Sequence, residues 1–478
     1  MNLLGKTLQE IKMNNFFFKI KKRIAKIDSR LCVGIDPHKY LINGVLGETK
    51  KDKLIIWSKN LIDQTKKYAA CFKINIAFFE MYGIKGLRAL KVVIKYAKRF
   101  APVILDAKRG DIDSTASAYA QSCFKKWKAD SVTVSPYLGM ESLNPFLQYK
   151  NSSIFLLCHT SNTGASEIQR NINEFGTPTY AWLALKSKDD KRIGLVVGAT
   201  QSDIVSEVRK NSEDSWLLCP GVGSQGGSLR DTVINGWGKS GNILISVSRK
   251  ISESKYPKKE AEKFRNKINK IRDEIIFPTK NHEMVALELI KQKCVLFGSF
   301  KLKSEVTSPI YIDLRKITGS PNLYNMITDI YKEYADKIKS DALLALPMSG
   351  LPIASSMALK MKKPLCYTRS AKKYGTGKSI EGGVVDGLRV LLIDDVTSKG
   401  TSAIESLDVV REKYLANDLL VLIDRDSGAE ENLSHKKIKL HKIFSLKDLL
   451  LFWKNKKIIS KKEYENSIKF ILENNNEV

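Results

Sequence analysis

The sequence predicts an α/β protein of two domains, a (β/α)8 barrel followed by a smaller domain built on parallel strands. Three observations carry that reading. The chain has 478 residues, more than one hydrophobic core normally organises. Its first half alternates short apolar runs with helix-prone stretches eight times in about 250 residues, the rhythm of a closed barrel. Past residue 278 the rhythm gives way to fewer, more widely spaced runs.

The barrel strands are expected at 31–36, 70–76, 103–108, 131–136, 154–161, 193–199, 216–220 and 242–248, each a β-branched or apolar run. An open doubly wound sheet is the alternative, although such sheets rarely need so many strands. A barrel demands that polar chemistry gather at the C-terminal ends of its strands. It does so here. Asp36 ends the first run, Lys73 lies late in the second, Asp106 and Lys108 end the third, and Ser161 closes the fifth. Pro220 ends the seventh and leads into Gly221-Val222-Gly223-Ser224-Gln225-Gly226-Gly227, and Arg249 follows the eighth. Barrels hold phosphate with the loops after these last two strands. A charged helical stretch over 255–276 ends at Phe277-Pro278-Thr279, which sets the domains at 1–278 and 279–478. In the second domain strands are expected at 342–347, 365–369, 389–396 and 419–425, joined by crossover helices.

Composition narrows the function classes. Hydrophobic residues make up 43%, ample for two cores, yet no run approaches the ~20 residues of a membrane helix. Phe16-Phe17-Phe18 is too brief for a secretory signal and is followed at once by lysines. A cytoplasmic protein is expected. The seven cysteines form no C-x-x-C pair, and Cys71, Cys158 and Cys219 sit inside apolar runs, so they read as reduced, buried side chains. The five histidines show no metal-ligand spacing, and no protein-held metal is expected. The net charge of +29 admits a nucleic-acid surface or a set of cations for phosphorylated small molecules. Because the lysines are scattered, with no basic block interleaved with aromatics, the second reading is preferred.

The first candidate site is Leu105-Asp106-Ala107-Lys108-Arg109-Gly110-Asp111. Residues i and i+2 of a strand share a face, so Asp106 and Lys108 point together, and a turn at Gly110 lets Asp111 rejoin them. With Lys73 nearby, such a network keeps an ammonium charged and places it as a proton donor. A plain ion-pair cluster fits the bare pattern as well. Its surroundings decide: Cys32-Val33-Gly34-Ile35-Asp36-Pro37-His38, Phe72-Lys73-Ile74-Asn75, 106–116, 133–139, Ser161-Asn162-Thr163-Gly164-Ala165, 194–200 and 220–227. Together these resemble the orotidine 5'-phosphate decarboxylase family over roughly residues 14–275. The resemblance implies that Lys108 protonates C6 of the pyrimidine as carbon dioxide leaves, with Asp106 facing the substrate carboxylate. Asp111 and Thr115 would reach the ribose of the neighbouring subunit's substrate. Asp36 and Lys73 would bind the ribose, Ser161 the pyrimidine, and Pro220, Gln225 and Arg249 would line the phosphate end. No cofactor is implied.

The second candidate site is the apolar strand Val390-Leu391-Leu392-Ile393 ending in Asp394-Asp395, followed by Thr397-Ser398-Lys399-Gly400-Thr401-Ser402. Adjacent carboxylates can accept from vicinal ribose hydroxyls, and a small, hydroxyl-rich loop opening a helix can wrap a phosphate. A solvated acidic turn is the competing reading. The segment resembles the phosphoribosyl-diphosphate motif of type I phosphoribosyltransferases. Lys303, the Tyr311 segment, the 345–354 loop, Arg369, Lys372, Lys373 and Asp424-Arg425 narrow the resemblance to orotate phosphoribosyltransferase over roughly 283–455. It implies that Lys303, Tyr311 and Arg425 lie on the orotate side. Arg369 would bind the diphosphate, and either Lys372 or Lys373 would be the catalytic loop lysine. Mg²⁺ would be held mainly through the diphosphate. Where the family has Arg-Lys-Glu, this chain has Arg369-Ser370-Ala371, one residue nearer Gly375.

The two resemblances imply successive reactions on one chain, with the decarboxylase first, a homodimer or higher homo-oligomer with shared sites, and small-molecule substrates without nucleic acid or membrane. A rival keeps the decarboxylase and makes the second domain a sensor of phosphoribosyl diphosphate.

Overall fold

The computed structural model describes residues 15–174, 176–223, 226–238, 240–301, 306–369 and 379–474. The chain divides into two compact units between Ile275 and Ile276, in the last turn of the helix Pro257–Ile276. The expected boundary, after residue 278, falls in the short segment beyond that helix.

The first unit is a closed barrel of eight parallel strands in sequence order. They are β1 (Leu31–Ile35), β2 (Ala69–Asn75), β3 (Val103–Arg109), β4 (Ser131–Val134), β5 (Ser153–His159), β6 (Ile193–Val197), β7 (Leu217–Pro220) and β8 (Ile243–Val247). Strands covered on both faces read as near-continuous apolar runs, and every residue of β1, β4, β6 and β8 is buried. The aromatic run that opens the described chain belongs to this core. Asn15 caps the helix Phe16–Ile27 by accepting the Phe18 N–H at 3.0 Å. Phe17 from that helix stacks on Trp216 with centroids 5.6 Å apart. Phe16 and Phe17 both meet Phe155 edge-on, at 5.8 and 5.4 Å. Each buried aromatic of this kind contributes roughly 1.5–3 kcal/mol. A second tie joins the unit's start to its last helix: Arg272, 1% exposed, pairs with Asp28, and Asn269 donates to the Asp28 carbonyl at 2.9 Å.

The second unit contains the antiparallel pair β9 (Val295–Lys301) and β10 (Thr307–Ile312) and a six-stranded sheet. The sheet strands are β11 (Ala342–Ala345), β12 (Leu365–Thr368), β13 (Ile380–Glu381), β14 (Arg389–Thr397), β15 (Leu415–Asp424) and β16 (Lys439–Ser445). Their order is β13-β12-β11-β14-β15-β16, parallel except for the β12–β13 edge. β14 is therefore internal, and its C-terminal end lies where an open α/β sheet presents its ligand crevice. The β9–β10 pair, β13 and β16 are additions to the four expected strands. Their signals are weak: β9 is mostly half-buried or exposed, β10 carries Pro309, and β13 has two residues.

Candidate active sites

At the C-terminal mouth of the barrel, two neighbouring strands deliver one charge network. Asp106, 7% exposed, accepts from Lys73 Nζ on Oδ2 at 2.8 Å and from Lys108 Nζ on Oδ1 at 2.6 Å. Burial alone would push the Asp106 carboxyl up. The two ammonium groups outweigh it and hold the group far below the usual carboxylate range. Lys73 is the mirror case: burial pulls its ammonium toward neutrality, but Asp106 and then Asp36 raise its pKa well above the ordinary value. Lys73 is thus a fixed buried cation. Lys108, whose side chain is half exposed, faces the open end where a substrate atom can meet it.

The shared orientation of Asp106 and Lys108 does not come from plain strand alternation. Leu105 pairs with Val132 and Arg109 with Val134, so Asp106, Ala107 and Lys108 together face the single residue Thr133. Lys108 takes φ 46°, a left-handed backbone that a lysine adopts only where its surroundings impose it. A bulge of this kind re-aims side chains at a sheet's rim.

Around this network lie other expected residues. Asp36 follows β1 at 9% exposure, and its Oδ1 finds no hydrogen-bond partner among the described residues. Such a buried acceptor fits a ligand hydroxyl. Ser161 is half-buried beyond β5. It lies so close to β6 that a Cβ on Gly198 would come within 2.8 Å of the Ser161 backbone, so glycine is required there. Pro220 ends β7, and Arg249, exposed, opens the helix Arg249–Ser252. Asp111 does not rejoin the network: its carboxylate accepts the Ile112 N–H at 2.9 Å, and it forms no ion pair among the described residues. Thr115 is exposed on the helix Asp113–Gln121. Gln225 lies outside the described residues.

In the second unit, the C-terminal part of β14 carries Asp394 and Asp395, 8% and 5% exposed. Each carboxylate accepts the next backbone N–H, at 2.9 and 2.7 Å. Burial pushes both carboxyls up, and the Asp395 charge adds to the effect on Asp394. Among the described residues neither forms an ion pair. Tyr331, fully buried, donates to the Asp394 carbonyl at 2.7 Å and fixes the strand end from behind. Thr397 is buried, Ser398 half-buried and Lys399 exposed. Gly400 then takes φ 77° ahead of the helix Thr401–Arg411, leaving Thr401 and Ser402 exposed on its first turn. That turn offers free backbone N–H groups to an anion. Asn432 Nδ2 donates to the Lys399 carbonyl at 3.0 Å and pins the loop.

At the end of β15 the Arg425 N–H donates to the Thr397 carbonyl at 2.8 Å, locking this corner to the phosphate loop. Burial lowers the pKa of the half-buried Arg425 guanidinium, and the Tyr311 hydroxyl opposes that shift electrostatically. Lys442 fixes the flanks, 2.7 Å from Asp424 and 3.8 Å from Asp426. Arg369 pairs with Glu381 at 2.6 Å across the β12–β13 edge. Lys303, Lys372 and Lys373 lie outside the described residues.

The family comparisons match both units. Residues 29–264 match the orotidine 5'-phosphate decarboxylase / HUMPS family, and residues 314–446 match the phosphoribosyl transferase domain. A solved UMP synthase from Leishmania donovani is 35% identical, with 96% of this chain and 99% of that one covered at a TM-score of 0.54. The chain belongs to the UMP synthase family. The bifunctional enzyme PyrF/PyrE of a Nostoc species is 29% identical over 456 residues, 91% of this chain and 95% of that protein. The orotidine 5'-phosphate decarboxylase of Flavobacterium johnsoniae is 38% identical and matches 54% of this chain and 96% of its own length. The decarboxylase domain precedes the transferase domain in this chain.

Sequence reasoning gave no role to Thr133, although it opens the 133–139 segment, and passed over Tyr331, Asn432 and Lys442, because each acts through a partner distant in the chain.

Proposed function

We propose that this chain converts orotate to UMP in two steps, each run by one domain. In the second domain, orotate displaces pyrophosphate from phosphoribosyl diphosphate and gives orotidine 5'-phosphate. Asp394 and Asp395 accept from the ribose hydroxyls, and the Thr397–Ser402 loop and the following helix turn hold the 5'-phosphate. Arg425 and Tyr311 hold orotate. Pyrophosphate leaves as a polyanion, and Mg²⁺ on the diphosphate, with Arg369 and a loop lysine, neutralises it. Asp394 and Asp395 are left to the ribose hydroxyls, since no cation among the described residues competes for them.

In the barrel, orotidine 5'-phosphate loses carbon dioxide and C6 takes a proton, giving UMP. Lys108 donates that proton, and Asp106 keeps its ammonium charged and aimed. Asp36 and Lys73 hold the ribose, Ser161 the pyrimidine, and Gln225 and Arg249 the phosphate. The observation that carries the reading is the Asp106 carboxylate clamped between two lysines at a barrel mouth. Asp111, turned to its own backbone, suits the site of a second copy, and a homodimer with shared sites is part of the proposal.

The test is an assay of full-length protein with orotate, phosphoribosyl diphosphate and Mg²⁺, followed by chromatography of the nucleotides. UMP formation supports both steps. Turnover of orotidine 5'-phosphate without consumption of orotate would leave the second domain as a sensor.

A further inference from the structure

Thr133 sits in the middle of β4 at 2% exposure, opposite the three bulged residues of β3. A threonine hydroxyl has one proton and two lone pairs, and all are used on that bulge. Oγ1 accepts the Ala107 N–H at 3.0 Å and the Lys108 N–H at 2.9 Å, and donates to Asp106 Oδ1 at 3.0 Å. The two N–H groups lack a regular ladder partner because the register breaks there, and a buried N–H left unpaired is costly. One hydroxyl therefore secures the left-handed turn at Lys108 and orients the carboxylate that grips the Lys108 ammonium.

We propose that Thr133 is a positioning residue for decarboxylation: its hydroxyl couples the backbone bulge at Lys108 to the Asp106 carboxylate. The role presupposes that the barrel decarboxylates orotidine 5'-phosphate. It acts on Lys108 and Asp106 rather than on the ribose and phosphate groups held by Asp36 and Arg249. Its loss therefore lowers the chemical rate while leaving ground-state binding in place.

The experiment compares wild type, Thr133→Val and Thr133→Ser in the full-length chain. Valine keeps the shape without the hydroxyl, and serine keeps the hydroxyl. For each, kcat and KM on orotidine 5'-phosphate, the affinity for UMP, and the rate of orotate consumption are measured. Expected is a fall in kcat of about 10- to 100-fold for Thr133→Val, the scale of one hydrogen bond to a charged group. UMP affinity and orotate consumption hold, and Thr133→Ser recovers most of the rate. A Thr133→Val enzyme as fast as wild type overturns the proposal. So does a Thr133→Ser variant as slow as Thr133→Val, or a rate loss matched by loss of UMP affinity. A wild-type protein inert on orotidine 5'-phosphate fails earlier and overturns the decarboxylase reading itself.

Discussion

Replacing Asp106 by asparagine keeps its volume and an acceptor for Thr133 but removes the charge. At an effective dielectric of about 20, unit charges ~2.8 Å apart attract by about 6 kcal/mol. That is the scale of the Lys73–Asp106 contact at 2.8 Å. The half-exposed Lys108 is screened and contributes less. Desolvation offsets part of the attraction in the intact pair, and removing one partner of a buried pair typically costs about 3–5 kcal/mol. The sign with pH follows from the directions. Asp106 is depressed in the fold, so its contribution is present above the unfolded carboxylate value and is lost as pH falls through the folded one. The loss in Asp106→Asn should therefore be full at neutral pH and vanish only in strong acid. For the reaction, two ammonium–carboxylate contacts at about 1.5–3 kcal/mol each set the aim of Lys108. Their loss predicts a fall in kcat of about 10²- to 10⁴-fold. Turnover of orotidine 5'-phosphate and urea unfolding at two pH values read both effects. An Asp106→Asn enzyme with kcat within tenfold of wild type and an unshifted midpoint would refute the clamp.

Three further outcomes are expected. The raised Asp394–Asp395 pair makes the folded unliganded transferase bind more protons than the unfolded chain, so it loses stability as pH rises above the unfolded carboxylate value. Asp394→Asn should stabilise it, by an amount that grows with pH in thermal melts. His282, buried and pulled down to about 4, has its own pH effect, which cancels in that difference. Arg272→Ala removes the buried guanidinium that pairs with Asp28 and should cost the barrel about 3–5 kcal/mol in urea unfolding. Gly400→Ala puts a Cβ at φ 77° and 2.8 Å from Leu433. Backbone strain and overpacking each cost ~1–3 kcal/mol, so the KM for phosphoribosyl diphosphate should rise while decarboxylation is untouched.

The barrel was legible because its parallel strands are covered on both faces and so read as apolar runs. All eight expected runs are strands of the closed barrel. The polar residues at the ends of those runs were equally visible, and Lys73, Asp106 and Lys108 do meet. The reason given for the last pair was incomplete. Alternation places i and i+2 on one face of a regular strand, but the register of β3 against β4 shows three residues facing one. What re-aims Lys108 is a hydroxyl on the next strand, and no pattern within 105–111 announces it. The same limit hid Tyr331 and Asn432 behind the Asp394 loop. Edge elements escaped for another reason: β9, β13 and β16 are short or half-solvated, so burial does not stamp an apolar period on them.

The two sites solve one electrostatic problem in opposite ways. Each buries carboxylate at the end of a parallel strand, where desolvation opposes ionisation. The barrel answers from within its chain: Lys73 and Lys108 keep Asp106 ionised, so its charge is in place before substrate arrives. The transferase does not. Among the described residues Asp394 and Asp395 have backbone N–H groups, the Ser349 side chain beside Asp395 and each other's charge, but no cation, and both are pushed toward the protonated form. Ionising that pair is easier once ligand hydroxyls donate to it or a divalent cation lies close. This is the behaviour expected of a site completed by its substrate. The contrast suits the two reactions, since a group transfer must assemble two substrates, whereas a decarboxylation needs only a fixed proton donor beside a fixed charge.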